Sequence, residues 1–152
     1  ITDGQGLQEA LSIYRSEFRP SEKFSKPLVN VCMWALTANT NEEAKYLFAS
    51  RAAWKIGRNY GQLGSITDPD NALSIINDNG WTEQYQNMYQ NSFVGDANIT
   101  KDKISKLVEE NNIDEIAILT WCHNENHRIK SYEIFANAFE LSEKREPEKS
   151  VV

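Results

Sequence analysis

Two short and almost continuously apolar segments constrain the fold of this chain more than any other feature. They are LVNVCMWALTA at 28–38 and IDEIAILTW at 113–121. A strand that is buried on both faces, as in a parallel sheet covered by helices, has such a sequence. Two parallel strands do not form a stable sheet, because three or more are needed even under helical cover. The sequence therefore predicts part of a larger fold.

Helical periodicity surrounds both predicted strands. Apolar residues recur at helical spacing over 7–18, which predicts a first helix. A second helix follows the first strand, with Thr40 and Glu43 at the spacing of a capping box. Asp96 is a predicted cap for a third helix, and 126–142 is amphipathic. The order α–β–α–excursion–α–β–α is typical of β/α units on a parallel sheet.

The excursion is the segment 57–93, which is rich in Gly, Asn, Gln, Asp and Tyr. An irregular segment of this length in a compact domain is typical of a lid or binding loop, although a short helix within TEQYQNMYQ is an alternative. Trp81, Tyr85 and Tyr89 are spaced by four, which places them on one face of such a helix. They are predicted either to pack the excursion onto the domain or to form a lid over a substrate.

Composition excludes several classes of protein. The chain has 152 residues, 40% of them hydrophobic, which suits one globular domain. Its net charge of −6 and the lack of a basic stripe argue against nucleic-acid binding. No apolar run approaches the roughly 20 residues of a membrane span. Cys32 and Cys122 form no CxxC motif, so a reduced, cytoplasmic location is expected. The first residue is Ile1, which favours a piece of a longer chain.

Three segments in a fixed order carry a family resemblance. They are YRSEFRPSE (14–22), KPLVNVCMWALTANTNEEA (26–44) and SFVGDANITKDKISKLVEENNIDEIAILTW with HRIKSYEIF (within 92–135). Together they resemble the carboxyl-terminal part of luciferase-like flavin-dependent monooxygenases, in the branch of bacterial luciferase and alkanal monooxygenase.

The resemblance implies an α/β fold, the carboxyl-terminal part of a (β/α)8 TIM-type barrel. The segment 28–38 would be the seventh strand and 113–121 the eighth, and a whole barrel takes about 250 residues. The excursion at 57–93 stands where the family has its mobile active-site loop. The implied organisation is a partial barrel domain over 1–145 and a charged tail over 146–152.

The resemblance also implies an activity. The family uses reduced FMN and O2 to oxygenate a small organic substrate such as an aldehyde, without a metal. A flavin reductase is the implied source of reduced FMN, and the family commonly forms homodimers. The main phosphate-binding residues lie on earlier strands, so this piece alone is expected to be inactive. The alternative is a non-catalytic, flavin-binding or self-associating barrel fragment, since open strand edges favour association.

Candidate site residues lie where the predicted strands end, because the carboxyl ends of barrel strands form the active-site face. Thr120 and Trp121 match the family pattern and are implied cofactor-binding residues, with packing in the core as the alternative for Trp121. Asn39 and Trp54 are further candidates for cofactor contact, with helix packing as the alternative for Trp54. His123 is a candidate for proton transfer, and a solvated turn residue is the alternative.

The stretch LTWCHNENHR contains both histidines of the chain. His123 and His127 are four residues apart, a spacing that suits a metal-dependent hydrolase. Glu125 is not in the position of an HExxH motif, and a zinc site needs a third protein ligand. The favoured interpretation is a turn from strand to helix, with Asn124 or Asn126 as the helix cap.

The helix after this turn supports the resemblance with one departure. Arg128, Ser131 and Tyr132 match the family pattern. Glu125 stands where relatives in this branch often have His, so no histidine role is transferred to that position.

Overall fold

The computed structural model describes residues 6–141. Within them, helices and strands follow the order α1 (Leu7–Glu17), β1 (Asn30–Thr37), α2 (Asn41–Asn59), α3 (Pro69–Asp78), α4 (Thr82–Gln90), β2 (Phe93–Gly95), α5 (Ala97–Asn111), β3 (Glu115–Leu119) and α6 (Glu125–Ala138). Both predicted strands and the four predicted helices that flank them are confirmed. The tail predicted at 146–152 lies outside the described residues.

The strands form one parallel sheet in the order β2-β1-β3. β1 and β3 pair directly, with Trp34 opposite Leu119. The sequence did not predict β2, because three residues are too few to show a periodicity. β2 supplies the third strand that a stable sheet needs, and it ends at Gly95, where any Cβ would lie 2.6 Å from Ile99 Cγ2. β2 and β3 each pair only with β1 in the described chain, so these residues form an open sheet rather than a closed barrel.

The prediction of an irregular excursion at 57–93 was wrong. α2 extends into it, α3 and α4 lie within it, and β2 begins at its last residue, Phe93, so that irregular backbone is limited to 60–68, 79–81 and 91–92. The alternative of a short helix within TEQYQNMYQ is confirmed as α4. Polar composition concealed small apolar faces, such as Ala72 and Ile76 of α3, which are fully buried. The mobility of this segment stays a prediction.

Predicted helix caps are confirmed. Thr40 Oγ1 accepts a hydrogen bond from the Glu43 backbone N–H at 3.1 Å, and Asp96 Oδ1 accepts one from Ile99 N–H at 3.0 Å. Each bond satisfies a donor that the first helical turn leaves free. α2 and α5 therefore begin at fixed residues beside the sheet.

The two faces of the sheet are covered differently. Met33 and Ala35 pack with residues of α5 and α6, whereas Trp34 and Leu36 pack on the opposite face in a cluster built largely from α2. Cys32, nearer the amino end of that second face, is exposed. α2 therefore lies over the carboxyl ends of the strands. Within the described residues, no helix has both the length and the apolar character needed to cross a membrane.

Candidate functional site at the carboxyl ends of the strands

A buried arginine lies at the carboxyl ends of β1 and β3. Arg51 of α2 is 5% exposed, and its Cζ is 4.1 Å from the ring centroid of Trp34 and 5.8 Å from that of Trp121. Trp34 belongs to β1 and Trp121 follows β3, so both strands supply an aromatic face to one cation. Cation–π contacts are strongest where water is excluded, and they offset part of the cost of burying a guanidinium.

Arg51 is not among the predicted site residues, although the sequence contains a signal for it. Ala44, Leu47, Phe48 and Arg51 follow the i, i+3, i+4, i+7 spacing of one helical face, and all four are buried. Because this face of α2 packs on the sheet, a cation within its apolar stripe is expected to be buried against the sheet. Because the pKa of arginine is always far above neutrality, the site keeps its positive charge.

Two of the predicted cofactor-binding residues come together beside Arg51. The rings of Trp54 and Trp121 meet edge to face, with centroids 5.4 Å apart and an interplanar angle of 77°. Trp54 Nε1 donates to the Gly64 carbonyl at 3.0 Å, which ties α2 to the irregular segment 60–68. Trp121 is 37% exposed. Trp121 therefore lies on the surface of the candidate site and not in the hydrophobic core.

The other two predicted cofactor-binding residues, Thr120 and Asn39, form hydrogen bonds within the protein. Thr120 is 1% exposed; its Oγ1 donates to the Ala35 carbonyl at 2.8 Å, and its N–H donates to the Tyr132 hydroxyl at 2.9 Å. The backbone N–H and side-chain amide of Asn39 both donate to Glu43 Oε2. Cofactor contact by Thr120 and Asn39 stays a prediction.

The LTWCHNENHR stretch forms the predicted turn from strand to helix. Asn124 caps α6 by accepting a hydrogen bond from Asn126 N–H at 2.8 Å. Farther along α6, the Ser131 hydroxyl accepts a hydrogen bond from Thr37 N–H at 3.0 Å. α6 therefore satisfies backbone groups at the end of β1 and just after β3, which fixes the position of the site.

His123 and His127 line a cavity of about 190 Å³ together with Asp68, Tyr46 and Ser50. The pKa of Asp68 is lowered, chiefly because its carboxylate accepts the Asn71 N–H at the start of α3. Within residues 6–141, no three His, Cys, Asp or Glu side chains lie close enough to hold a metal ion. The hydrolase alternative therefore lacks a ligand set there.

The aromatic residues predicted as packing or lid groups lie against α2. Trp81 and Tyr85 are each 5% exposed, and the Tyr85 hydroxyl donates to the Lys45 carbonyl at 2.8 Å. Burial raises the pKa of Tyr85 to about 12. The rings of Tyr85 and Tyr89 contact Phe48, with centroids 5.9 and 6.1 Å away. These residues pack the α4 region onto α2, and a lid function for them stays a prediction.

Comparison with known proteins relates the chain to named proteins. No family model matches the chain. It is 30% identical over 132 residues to the luciferase-like monooxygenase of Escherichia coli (strain K12), a match that covers 84% of this chain and 38% of that protein. It is 27% identical over 141 residues to the uncharacterized protein YddN of Bacillus subtilis (strain 168), covering 91% and 41%.

A solved structure shares the fold. The crystal structure of apo-MsnO8 matches with a TM-score of 0.77 at 22% identity, covering 91% of this chain and 43% of that one. The chain spans 38% to 41% of the length of the two curated relatives described above, which fits the predicted correspondence to a carboxyl-terminal portion. The resemblance seen in the sequence is confirmed: the chain is related to the luciferase-like monooxygenases and corresponds to a part of them.

Proposed function

We propose that the chain forms part of an FMN-dependent monooxygenase, an oxidoreductase that uses reduced FMN and O2 to oxygenate a small organic substrate such as an aldehyde. The relationship to luciferase-like monooxygenases supports the reaction class. The observation that carries the proposal is the buried Arg51 between Trp34 and Trp121 at the carboxyl ends of adjacent parallel strands. In open and closed α/β sheets alike, ligands bind at this end.

The residues fit a flavin in three respects. Trp121 offers a partly exposed aromatic face to a planar ring. Arg51 offers a positive charge that is shielded from water. Trp34 Nε1 is a buried donor that has no hydrogen-bond partner among the described residues, and such a donor is costly unless an acceptor reaches it. A flavin ring presents acceptors of this kind along its pyrimidine edge.

Arg51 has a defined task in this proposal. The ring of reduced flavin carries a negative charge near neutral pH, whereas the oxidised ring is neutral. A fixed cation in a site that excludes water therefore stabilises the reduced form more than the oxidised form. The bound flavin supplies the chemistry of oxygen activation, while Arg51, Trp121 and Trp54 orient its ring and shield it from solvent.

The remaining proposals follow from the family relationship. His123 is proposed to transfer protons near the site, and the excursion with Trp81, Tyr85 and Tyr89 is proposed to cover the substrate. The whole protein is proposed to be cytoplasmic and homodimeric and to receive reduced FMN from a flavin reductase.

Anaerobic titration with FMN tests the proposed function. The full-length protein is expected to bind reduced FMN more tightly than oxidised FMN, and the 152-residue chain alone is expected to show no binding in the micromolar range. Full-length protein that fails to bind reduced FMN would contradict the proposal. Micromolar binding by the isolated chain would contradict the inactivity proposed for this piece.

A second candidate function is a non-catalytic, self-associating module. It is favoured by the edges of β2 and β3, which are unpaired among residues 6–141, and by Leu119, which is 43% exposed on the sheet. Unprotected edges of this kind template pairing with another chain. Sedimentation of the isolated chain distinguishes the two, since a compact monomer at all concentrations excludes the module.

A further inference from the structure

A second cavity, of about 360 Å³, is lined by Trp54, whose ring also contacts Trp121. α2 lines it with Ser50 and Trp54, which lie on one helical face, and α3 lines it with Asn71 and Ile75. The segment 62–67 closes the third side, held there by the hydrogen bond from Trp54 to Gly64. The volume lies in the range of small-molecule sites, roughly 300–1,000 Å³.

The wall of this cavity is uncharged. Among the described residues that line it, none carries a formal charge. Hydrogen-bonding capacity comes instead from hydroxyl and amide side chains, namely those of Ser50, Gln62, Ser65, Thr67 and Asn71. An ion placed there would find no counter-charge among the lining residues, so the hydration that it gave up on contact with Trp54 and Ile75 would not be offset.

The hydroxyl of Ser50 adds a second observation. Ser50 is 1% exposed, and its Oγ has no hydrogen-bond partner among the described residues. Ser50 also borders the cavity that contains His123. A buried hydroxyl that has no partner is a natural binding point for a polar group once a ligand opens the wall slightly.

We propose that this cavity binds the uncharged organic substrate, with an apolar body against Trp54 and Ile75 and a neutral hydrogen-bonding group toward Ser50 and Asn71. The assignment to the substrate rests on the proposed monooxygenase function, since Trp54 borders this cavity and also contacts Trp121 of the candidate flavin site. The uncharged wall defines the substrate class: alcohols, aldehydes, ketones or amides bind, whereas carboxylates, sulfonates and ammonium compounds are excluded.

Three probes that share a phenyl ring test the cavity in the full-length protein by calorimetry: 2-phenylethanol, phenylacetate and 2-phenylethylammonium. We expect 2-phenylethanol to bind about tenfold or more tightly than either ion, because one unpaired charge is disfavoured by more than 1.4 kcal/mol. Gln62→Glu, which places a carboxylate in the wall without changing its shape, is expected to reverse the preference toward 2-phenylethylammonium. Ala53→Leu, which fills the cavity from α2, is expected to abolish 2-phenylethanol binding.

The matched control is Gln90→Glu on the exposed end of α4, which is expected to leave all three affinities unchanged. Equal binding of phenylacetate and 2-phenylethanol, or a Gln62→Glu variant with the wild-type preference, would overturn the inference. FMN titration of the same samples separates the two proposals. Flavin binding without discrimination among the probes overturns the cavity assignment alone. Discrimination without flavin binding overturns the proposed function and leaves a site for neutral ligands.

Discussion

Replacing Thr120 by Val tests whether its hydroxyl serves the sheet or the cofactor. Thr120 is 1% exposed, and its Oγ1 donates at 2.8 Å to the Ala35 carbonyl, so it joins the end of β3 to β1. Val keeps the side-chain volume but removes the donor. The variant loses the hydrogen bond and leaves a buried carbonyl short of a partner, which together lower the free energy of unfolding by about 1–3 kcal/mol.

Denaturant unfolding measures this change as a lower midpoint concentration of denaturant, with no change in the dependence of the unfolding free energy on denaturant concentration. Thr120→Ser keeps the hydroxyl and is expected to recover more than half of the loss. Thr82→Val is the control, because Thr82 is exposed and its hydroxyl lies 3.4 Å from Asn77 Oδ1, so we expect a change within about 0.5 kcal/mol. If Thr120→Val unfolds at the wild-type midpoint but binds FMN more weakly, the hydroxyl serves the cofactor and the structural assignment is refuted.

Three further predictions concern charge, reactivity and capping. In the full-length protein, Arg51→Gln is expected to reduce the preference for reduced over oxidised FMN by about tenfold or more and to lower the reduction potential of the bound flavin. Arg51→Lys is expected to recover part of both. An unchanged reduction potential would show that Arg51 is not part of the flavin site. Burial raises the pKa of Cys122 to about 11, so at pH 8 its thiol is protonated and iodoacetamide is expected to label the exposed Cys32 first, as read by mass spectrometry; equal labelling rates would contradict the burial. Asp96→Ala is expected to lower the free energy of unfolding by about 1 kcal/mol through loss of the α5 cap, and an unaltered denaturant midpoint would argue against that cap.

Local features of the fold could be predicted because they depend on neighbours in sequence. Continuous apolar segments specified β1 and β3, periodicity specified the helices that flank them, and the spacing of Thr40 to Glu43 specified a cap. The excursion at 57–93 was mispredicted because its helices carry narrow apolar faces within polar sequence. The stability of α3 and α4 comes from packing on α2, and a local sequence pattern contains no information about that packing.

Some features of the candidate site could also be predicted from the sequence, and others could not. The sequence indicated Trp121 and Trp54 as candidates near the strand ends, since the carboxyl end of a parallel strand can be located from the strand itself. It did not indicate that their rings meet, nor that Arg51 lies between Trp34 and Trp121. Those contacts join α2, β1 and the residues after β3.

The sequence by itself therefore determined two strands with their flanking helices, the relationship to the luciferase-like monooxygenases and the strand ends at which the candidate site lies. Only the tertiary structure decided that a buried cation lies there between two indole rings and that Trp54 borders a cavity whose lining residues are uncharged. The physical reason is distance along the chain: a helix or a cap forms within a few residues, whereas the charge and shape of a site arise where separate elements pack together.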